Sequence, residues 1–356
     1  MAMGTIAVVV LNWNGEVWLR RFLPEVVRCT PGARIVLADN GSSDGSVAWA
    51  VAALPAVKIL RLPTNLGFAG GYNAALAQLD SDYFVLLNSD VEVRPGWLEG
   101  LQELLDRNPD MAACQPKVLA QRDPSRFEHA GAAGGFIDRN GYPFCRGRIF
   151  ELTEEDHGQY DDERDVFWAT GACLMVRREA FRAVGGFDAS LFAHMEEIDL
   201  CWRLRRRGWR IGYTSASVVY HVGGGSLGYG SPRKTYLNFR NSLIVLTKNL
   251  RDKHVLYRIL RRILLDGFAG WKFLFEGHAA HTWQVARAHR HYLRRLPALL
   301  RERRRLIGEE KDPDLTGAYR RSIAYDRFIL GQQKFSDLDR GAFVQRTDHG
   351  RTRRSK

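Results

Sequence analysis

The sequence predicts an α/β fold, a doubly wound and mainly parallel sheet, with a basic α-helical C-terminal extension. Three observations carry this. Short apolar runs alternate with segments of helical spacing over the first ninety residues. Each of the first, second and fourth runs stops at a polar loop of Asn, Asp, Gly or Ser. And charge divides sharply along the chain: residues 1–247 hold 26 Lys+Arg against 28 Asp+Glu, whereas residues 248–356 hold 26 against 12. Strand–helix alternation of this kind builds a parallel, doubly wound sheet, whose ligands bind at the carboxyl ends of the strands.

The elements follow in order. Ile6–Leu11 is a continuous apolar run, as a strand buried on both faces requires. It ends in the turn Asn12-Trp13-Asn14-Gly15, and Val17–Cys29 then has helical spacing. Arg34–Ala38 is the second strand; after it, Asp44 or Ser46 is placed to cap the helix Val47–Leu54. Val57–Leu62 is the third strand, followed by the Gly-rich loop Asn65–Asn73 and a short helix, Ala74–Leu79. That loop is not GxGxxG, so the dinucleotide fingerprint is absent while a mononucleotide crevice remains open. Tyr83–Leu87 is the fourth strand, stopping at Asn88-Ser89-Asp90. Taken alone, that triplet reads as a turn.

Trp97–Arg107 is an amphipathic helix and Ala112–Val118 a further strand. From about Leu119 to Asp165 the chain looks irregular, rich in Gly and acidic residues, and a stretch of this length without structure is usually functional or mobile. Cys173–Val176 is apolar and Arg177–Val184 helical. A helix opens near the acidic cluster Glu196-Glu197-Ile198-Asp199 and ends near Gly208. Acidic residues suit a first helical turn, and Asp199 with Arg203 forms an i,i+4 pair, which accounts for Asp199 better than for the adjacent Glu196 and Glu197. Trp209–Tyr213 and Ser217–His221 read as two short strands, and Val222–Ser226 as a loop suited to closing over a ligand. Helices are expected over Thr235–Leu250, His254–Phe275 and Trp283–Leu306, with disorder beyond residue 340. The organisation expected is thus a catalytic domain over 1–245, a basic amphipathic helical extension over 246–340 and a disordered tail over 341–356.

Five scattered cysteines without CxxC spacing argue against a zinc cluster or disulfide framework and fit a reducing cytosol. The N-terminal segment has no signal-peptide pattern, and no apolar run reaches membrane-spanning length. In the extension, apolar and basic residues interleave as in helices lying at a membrane interface. The expectation is a cytoplasmic protein, peripheral on the inner face of the cell membrane. Packing of these helices on the catalytic domain or on a second subunit is the plain alternative. Nucleic acid fits the helical apolar periodicity less well.

The ordered set of motifs resembles glycosyltransferase family 2, the inverting sugar-nucleotide transferases of GT-A fold, in its rhamnosyltransferase-like branch. The motifs are Val8–Gly15, Ala38–Ser46, Asn65–Asn73, Leu87–Asp90, Gly185–Asp188, Glu196–Arg203 and His221, and the resemblance spans about residues 4–245. It implies a mixed, mainly parallel sheet. It further implies that Asn12, Asn14, Asp39, Asn65, Gly67 and Asn73 serve the nucleotide, with Asn88, Ser89 and Asp90 at the donor diphosphate. Asp90 and His221 would hold a divalent metal, Mg2+ or Mn2+. Glu197 would be the general base, with Glu196, Asp199 and Trp168 on the acceptor side. The donor would be a dTDP- or UDP-sugar, dTDP-rhamnose among them, and the acceptor a glycan or lipid-linked glycan in cell-surface polysaccharide synthesis. Two positions depart from the family pattern: Asn88 stands where the first carboxylate of Asp-x-Asp is usual, and Glu197 where the base is usually Asp. The competing readings are a metal-dependent nucleotidyltransferase and a non-catalytic nucleic-acid- or membrane-binding protein. The former should carry a phosphate-gripping Lys or Arg in Asn12–Asn14 or Asn65–Asn73, and neither loop has one.

Overall fold

The computed structural model describes residues 4–223, 230–310 and 313–346. The first half alternates as the sequence suggests: β1 (Ile6–Asn12), α1 (Glu16–Arg28), β2 (Arg34–Asp39), α2 (Ser46–Ala53), β3 (Lys58–Arg61), α3 (Gly67–Leu76) and β4 (Tyr83–Asn88). β1 lies between β2 and β4, parallel to both, and β3 runs parallel outside β2. The apolar runs are buried on both faces. Ala7, Val9, Phe84 and Leu86 enter one core, while Ile6, Val8, Val10, Val85 and Leu87 enter the other. This period-two division explains why these strands show no polar alternation.

The sheet then becomes mixed. β5 (Val91–Val93), β6 (Met111–Ala120), β13 (Cys173–Arg177) and β14 (Arg210–His221) extend it, with α4 (Glu99–Arg107) between β5 and β6 in the chain. β13 is antiparallel to both β4 and β6, and β6 is parallel to β14. The two short strands expected near residues 209–221 are one strand, β14. Its pairing register with β6 slips between Thr214 and Val218, a bulge that accounts for the break in the apolar pattern.

The stretch expected to be irregular is built as β7 (Asp123–Phe127), β8 (Gly135–Asp138), β9 (Pro143–Cys145), β10 (Arg148–Ile149), β11 (Leu152–Thr153) and β12 (Glu163–Asp165). β8 to β11 form a second, small sheet, and β7 and β12 edge the first. Short strands rich in Gly and charge carry little periodic signal, so their pairing had to come from tertiary contacts.

The remaining helices are α5 (Arg178–Ala183), α6 (Glu196–Arg206), α7 (Pro232–Asn249), α8 (Val255–Phe275) and α9 (Ala279–Gly308). The boundary expected after residue 245 falls inside α7, whose Ile244, Val245 and Leu246 are core residues. Beyond α9, β15 (Ala318–Tyr319) pairs with β8 in the second sheet, followed by α10 (Ile323–Phe328). Residues 341–346, expected to be disordered, are structured: Phe343 packs against Phe136, Phe144, Tyr319 and Phe335. Most of the Val222–Ser226 loop and residues 347–356 lie outside the described residues. The five cysteines are free and buried.

Candidate active site

A cleft of about 270 Å³ opens at the carboxyl ends of β1 and β4. Its lining is drawn from the β1 loop (Trp13, Gly15), Asn65 and the first turn of α3 (Gly67, Phe68), which takes up most of the stretch expected as a Gly-rich loop, Asn88-Ser89-Asp90, the start of α6 (Glu196, Glu197), His221, and the first turn of α7 (Arg233, Lys234). It lies where an open α/β sheet binds its ligand.

Strand pairing assembles one wall. β5 pairs with the end of β14, setting His221 opposite Val91, and the Val222 N–H donates to the Asp90 carbonyl. His221 Nε2 is thereby 3.2 Å from Asp90 Oδ1 and 3.4 Å from Asn88 Nδ2. On its other side, Nδ1 is 3.0 Å from Oε2 of Glu128. Glu128 follows β7 and was not singled out from the sequence, because the surrounding stretch has no periodicity to mark it. All three groups are buried. Burial opposes charge on His221, but the carboxylates of Asp90 and Glu128 win and raise it to about 10; Glu128 is correspondingly held down at about 2.

The opposite wall is the start of α6. Phe192, His194 and Met195 have positive φ, at 67°, 69° and 75°, a conformation costly for side chains with a Cβ. Helix α7 holds this segment: the Asn241 amide donates to the carbonyls of Leu191, Ala193 and His194, and Arg240 donates to those of Ser190 and Leu191. Such strain commonly sits at functional sites. Here it turns Glu196 and Glu197 toward the cleft. Each has one buried carboxyl oxygen with no hydrogen-bond partner among the described residues. Burial raises Glu197 to about 7 despite backbone N–H groups of its own first turn. Glu196 is raised well above the usual range by burial and by its neighbour's charge.

The other sequence-selected residues fall into two groups. Asn65, Gly67, Asn88, Ser89 and Asp90 line the cleft. Asn12 does not: its amide donates to Asp39, Ser42 and Ser46 and its oxygen accepts from the Gly15 N–H. Asn14 ties the same two loops together, accepting from the Ser43 and Asp44 N–H groups, and Asp39 accepts from Asn12 and the Ser42 N–H. Their neighbour Asn40 is the polar residue of that loop that reaches the cleft, bonding Asn65, Gly67 and Leu66.

Three more of the expected residues lie outside the cleft lining, each with partners elsewhere. Asn73 bonds both the N–H and the carbonyl of Phe187, fastening α3 to the 185–188 turn. Trp168 is buried in the core with its indole N–H on the Phe136 carbonyl, and lines no part of the cleft. Asp199 is fully buried, paired with Arg203 at 2.7 Å and Lys248 at 3.4 Å and accepting from Asn249; these cations hold it at about 2 against burial. Two residues beyond Glu197, it is rotated about 200° round the helix, away from that carboxyl.

A divalent metal at the cleft wall would take Asp90 as its carboxylate ligand, and His221 Nε2 only by displacing the proton that the flanking carboxylates favour there. Asp90 and the Nε2 edge of His221 are adjacent, and Glu128 stands behind Nδ1 in the position that orients a ligating imidazole. Among the described residues no cluster of three or more His, Cys, Asp or Glu is placed to hold a metal alone. A metal here would need donor oxygens or water to complete its shell.

Known proteins resemble this chain in sequence and in fold. The family model described as Glycosyl transferase family 2 matches residues 7–185. The N-acetylglucosaminyl-diphospho-decaprenol L-rhamnosyltransferase of Mycobacterium tuberculosis is 33% identical over 236 residues, covering 61% of this chain and 76% of that one. Staphylococcus aureus TarS 1-349, solved in complex with UDP-GlcNAc, superimposes with a TM-score of 0.53 at 16% identity, over 85% of this chain and 88% of that one. GalNAc-T7, solved with UDP, GalNAc and Mn2+, gives a TM-score of 0.53 at 16% identity over 69% of this chain, which spans about half (48%) of it. At these identities the structural likenesses establish the fold, which is GT-A.

Proposed function

The chain belongs to glycosyl transferase family 2, and from that premise we propose that it transfers a sugar, with inversion, from a nucleotide-diphosphate donor to a lipid-linked glycan acceptor. The observation that carries this reading is the pairing, across one cleft, of a Glu197 carboxyl with one unpartnered oxygen and the Asp90–His221 wall. Inversion by direct displacement needs a base on the acceptor side and charge stabilisation at the leaving diphosphate. Glu197, at about 7, is matched to accept the acceptor hydroxyl proton near neutral pH. The C–O bond to the acceptor forms as the bond to the diphosphate breaks, and the proton leaves on Glu197.

On the donor side, Asn65, Gly67 and Asn40 bound the nucleoside, and Asn88-Ser89-Asp90 meets the diphosphate. Arg233 and Lys234, which the sequence reading passed over, add positive charge at the cleft. Their signal was a basic pair directly after a Gly-rich loop. A divalent cation, Mg2+ or Mn2+, bound at Asp90 and His221 would neutralise charge on the departing diphosphate. GalNAc-T7 was solved with UDP and Mn2+, which supports this choice. The mycobacterial relative's name specifies a rhamnosyl donor and a polyprenyl diphosphate acceptor, which favours a dTDP- or UDP-sugar, dTDP-rhamnose first, and a lipid-linked acceptor in cell-surface polysaccharide synthesis.

The test is a panel of nucleotide-sugars, each with Mn2+ or Mg2+, scored by thermal stabilisation and by slow donor hydrolysis. One dTDP- or UDP-sugar should stabilise the protein in a metal-dependent way. Stabilisation by a nucleoside triphosphate with pyrophosphate release, and by no nucleotide-sugar, would overturn the reading.

A further inference from the structure

Helix α8 is amphipathic in an inverted sense. Its inner face is committed: Val255, Ile259, Arg262, Asp266 and Gly270 are buried. Arg262 pairs with Asp266 at 2.9 Å and stacks on Tyr142, while Gly270 packs against Val285 of α9. The outer face carries Tyr257, Leu260, Leu264, Phe268, Trp271 and Phe275, each more than half exposed, up to 84% at Phe275. Their spacing of three and four residues confines them to an arc of about 80°. Isolated exposed apolar residues are ordinary, but six large ones in one stripe mark an interaction surface. None of them has a partner element among the described residues.

The charge around this stripe is positive. Lys272 is two-thirds exposed within a turn of Phe268 and Phe275, and is paired at 3.8 Å with Glu276 at the helix's C-cap. On α9, which packs against α8, Trp283, Arg287, Arg290 and Arg294 recur at helical spacing on one exposed face. The only carboxylate within α8 is the buried Asp266. An exposed apolar stripe and an exposed row of arginines on two helices that pack together are the two features by which a chain lies on an anionic lipid surface, rings in the acyl boundary and guanidinium groups on headgroup phosphates. A second copy of the chain would bring the same cations face to face.

The end of the stripe is linked by hydrogen bonds to the segment that bears the cleft rim. The Thr282 hydroxyl donates to the Gly270 carbonyl, and His281 Nδ1 is 2.7 Å from the Thr235 hydroxyl. Thr235 directly follows Arg233 and Lys234, which line the cleft. The α8–α9 turn, with Trp271, Phe275 and Trp283 around it, is thus joined to the cleft rim through one short run of α7.

We propose that the outer face of α8, with the exposed arginine face of α9, is a monotopic docking surface for an anionic bilayer, and that it holds the cleft rim at the membrane. No helix among the described residues is long and apolar enough to cross a membrane, so the contact is one of lying on the surface. The docking itself stands on the exposed stripe and its charge. Only its purpose, delivery of a lipid-linked acceptor, rests on the function proposed above.

The experiment is flotation of the full chain with vesicles of phosphatidylcholine, with and without phosphatidylglycerol. The wild-type protein should float with the anionic vesicles and be released by salt. Phe268→Ser, Trp271→Ser and Phe275→Ser should each weaken partitioning on the order of tenfold, and Arg287→Ala/Arg290→Ala/Arg294→Ala should abolish the preference for anionic lipid. Nucleotide-induced thermal stabilisation should be unchanged in all of them, which separates lost docking from lost folding. Wild-type protein that stays with neither vesicle, or variants that float as wild type does, would overturn the proposal. So would a wild-type dimer that the aromatic substitutions convert to monomer without altering flotation, because a second copy would then own the stripe. Normal flotation with no response to any nucleotide-sugar would count against the proposed function and leave the docking surface standing.

Discussion

Replacing Glu197 by Gln separates chemistry from stability, because the wild-type carboxyl is expensive to keep. Burial raises it from an ordinary 4.5 to about 7, which corresponds to about 3 kcal/mol at 1.36 kcal/mol per pH unit. The sign follows from proton linkage. Between 4.5 and 7 the unfolded chain has lost this proton while the folded chain keeps it, so the contribution to stability falls as pH rises through that window and stays low above it. Gln has no proton to lose. Glu197→Gln should therefore match wild type near pH 4.5 and exceed it above pH 7, by up to about 3 kcal/mol, with relief of the adjacent Glu196 as part of the gain. Its turnover should fall by about 10²- to 10⁴-fold while nucleotide affinity is kept. Urea unfolding across pH measures the first quantity, transfer assays the second and nucleotide titration the third. In the wild type, turnover should rise with pH through about 7 as the base ionises. A variant with normal turnover, or one whose stability gain is largest at acid pH, would refute the assignment.

Other perturbations probe the remaining parts of the site. Asp90→Asn should keep the fold but lose the metal-dependent share of nucleotide-sugar stabilisation, read by thermal shift with and without Mn2+. Asp199→Asn should leave turnover per folded molecule near wild type yet cost about 3 kcal/mol or more in urea unfolding, because Arg203 and Lys248 would lose a buried counter-charge. Gly67→Ala should weaken nucleotide binding and destabilise the fold by at least about 1–2 kcal/mol. Its φ is 73° and the added Cβ would fall 2.4 Å from the Phe192 carbonyl oxygen, pushing on the strained segment ahead of Glu196.

Much of the candidate site was readable because its parts are local signals at strand and helix ends. The apolar run Tyr83–Leu87 announced a strand buried on both faces, and its end located Asn88-Ser89-Asp90. An acidic pair opening α6 stood out against the ordinary i,i+4 logic that explained Asp199. Glu128 was not readable: its contact with His221 depends on β7 folding back along β6, and nothing in its own neighbourhood marks that pairing. Asn241 was hidden for the same reason. It lies in what looked like the margin of a separate extension, yet it holds the backbone that presents the acidic pair.

Consecutive residues thus carried the succession of strands and helices in the first half, the ligand-bearing loops, the family and the near-neutral body with its basic tail. Periodicity and turn chemistry act over a few residues and survive in the bare sequence. Tertiary structure decided which polar groups face the cleft and which are spent inside. Asn73, Trp168 and Asp199 find buried partners, Glu196 and Glu197 keep an unpartnered oxygen, and His221 is held between two carboxylates. The physical reason is that ionisation and hydrogen bonding of a buried group depend on neighbours brought from distant segments. His221 and Asp90 are 131 residues apart in sequence and 3.2 Å apart in the fold.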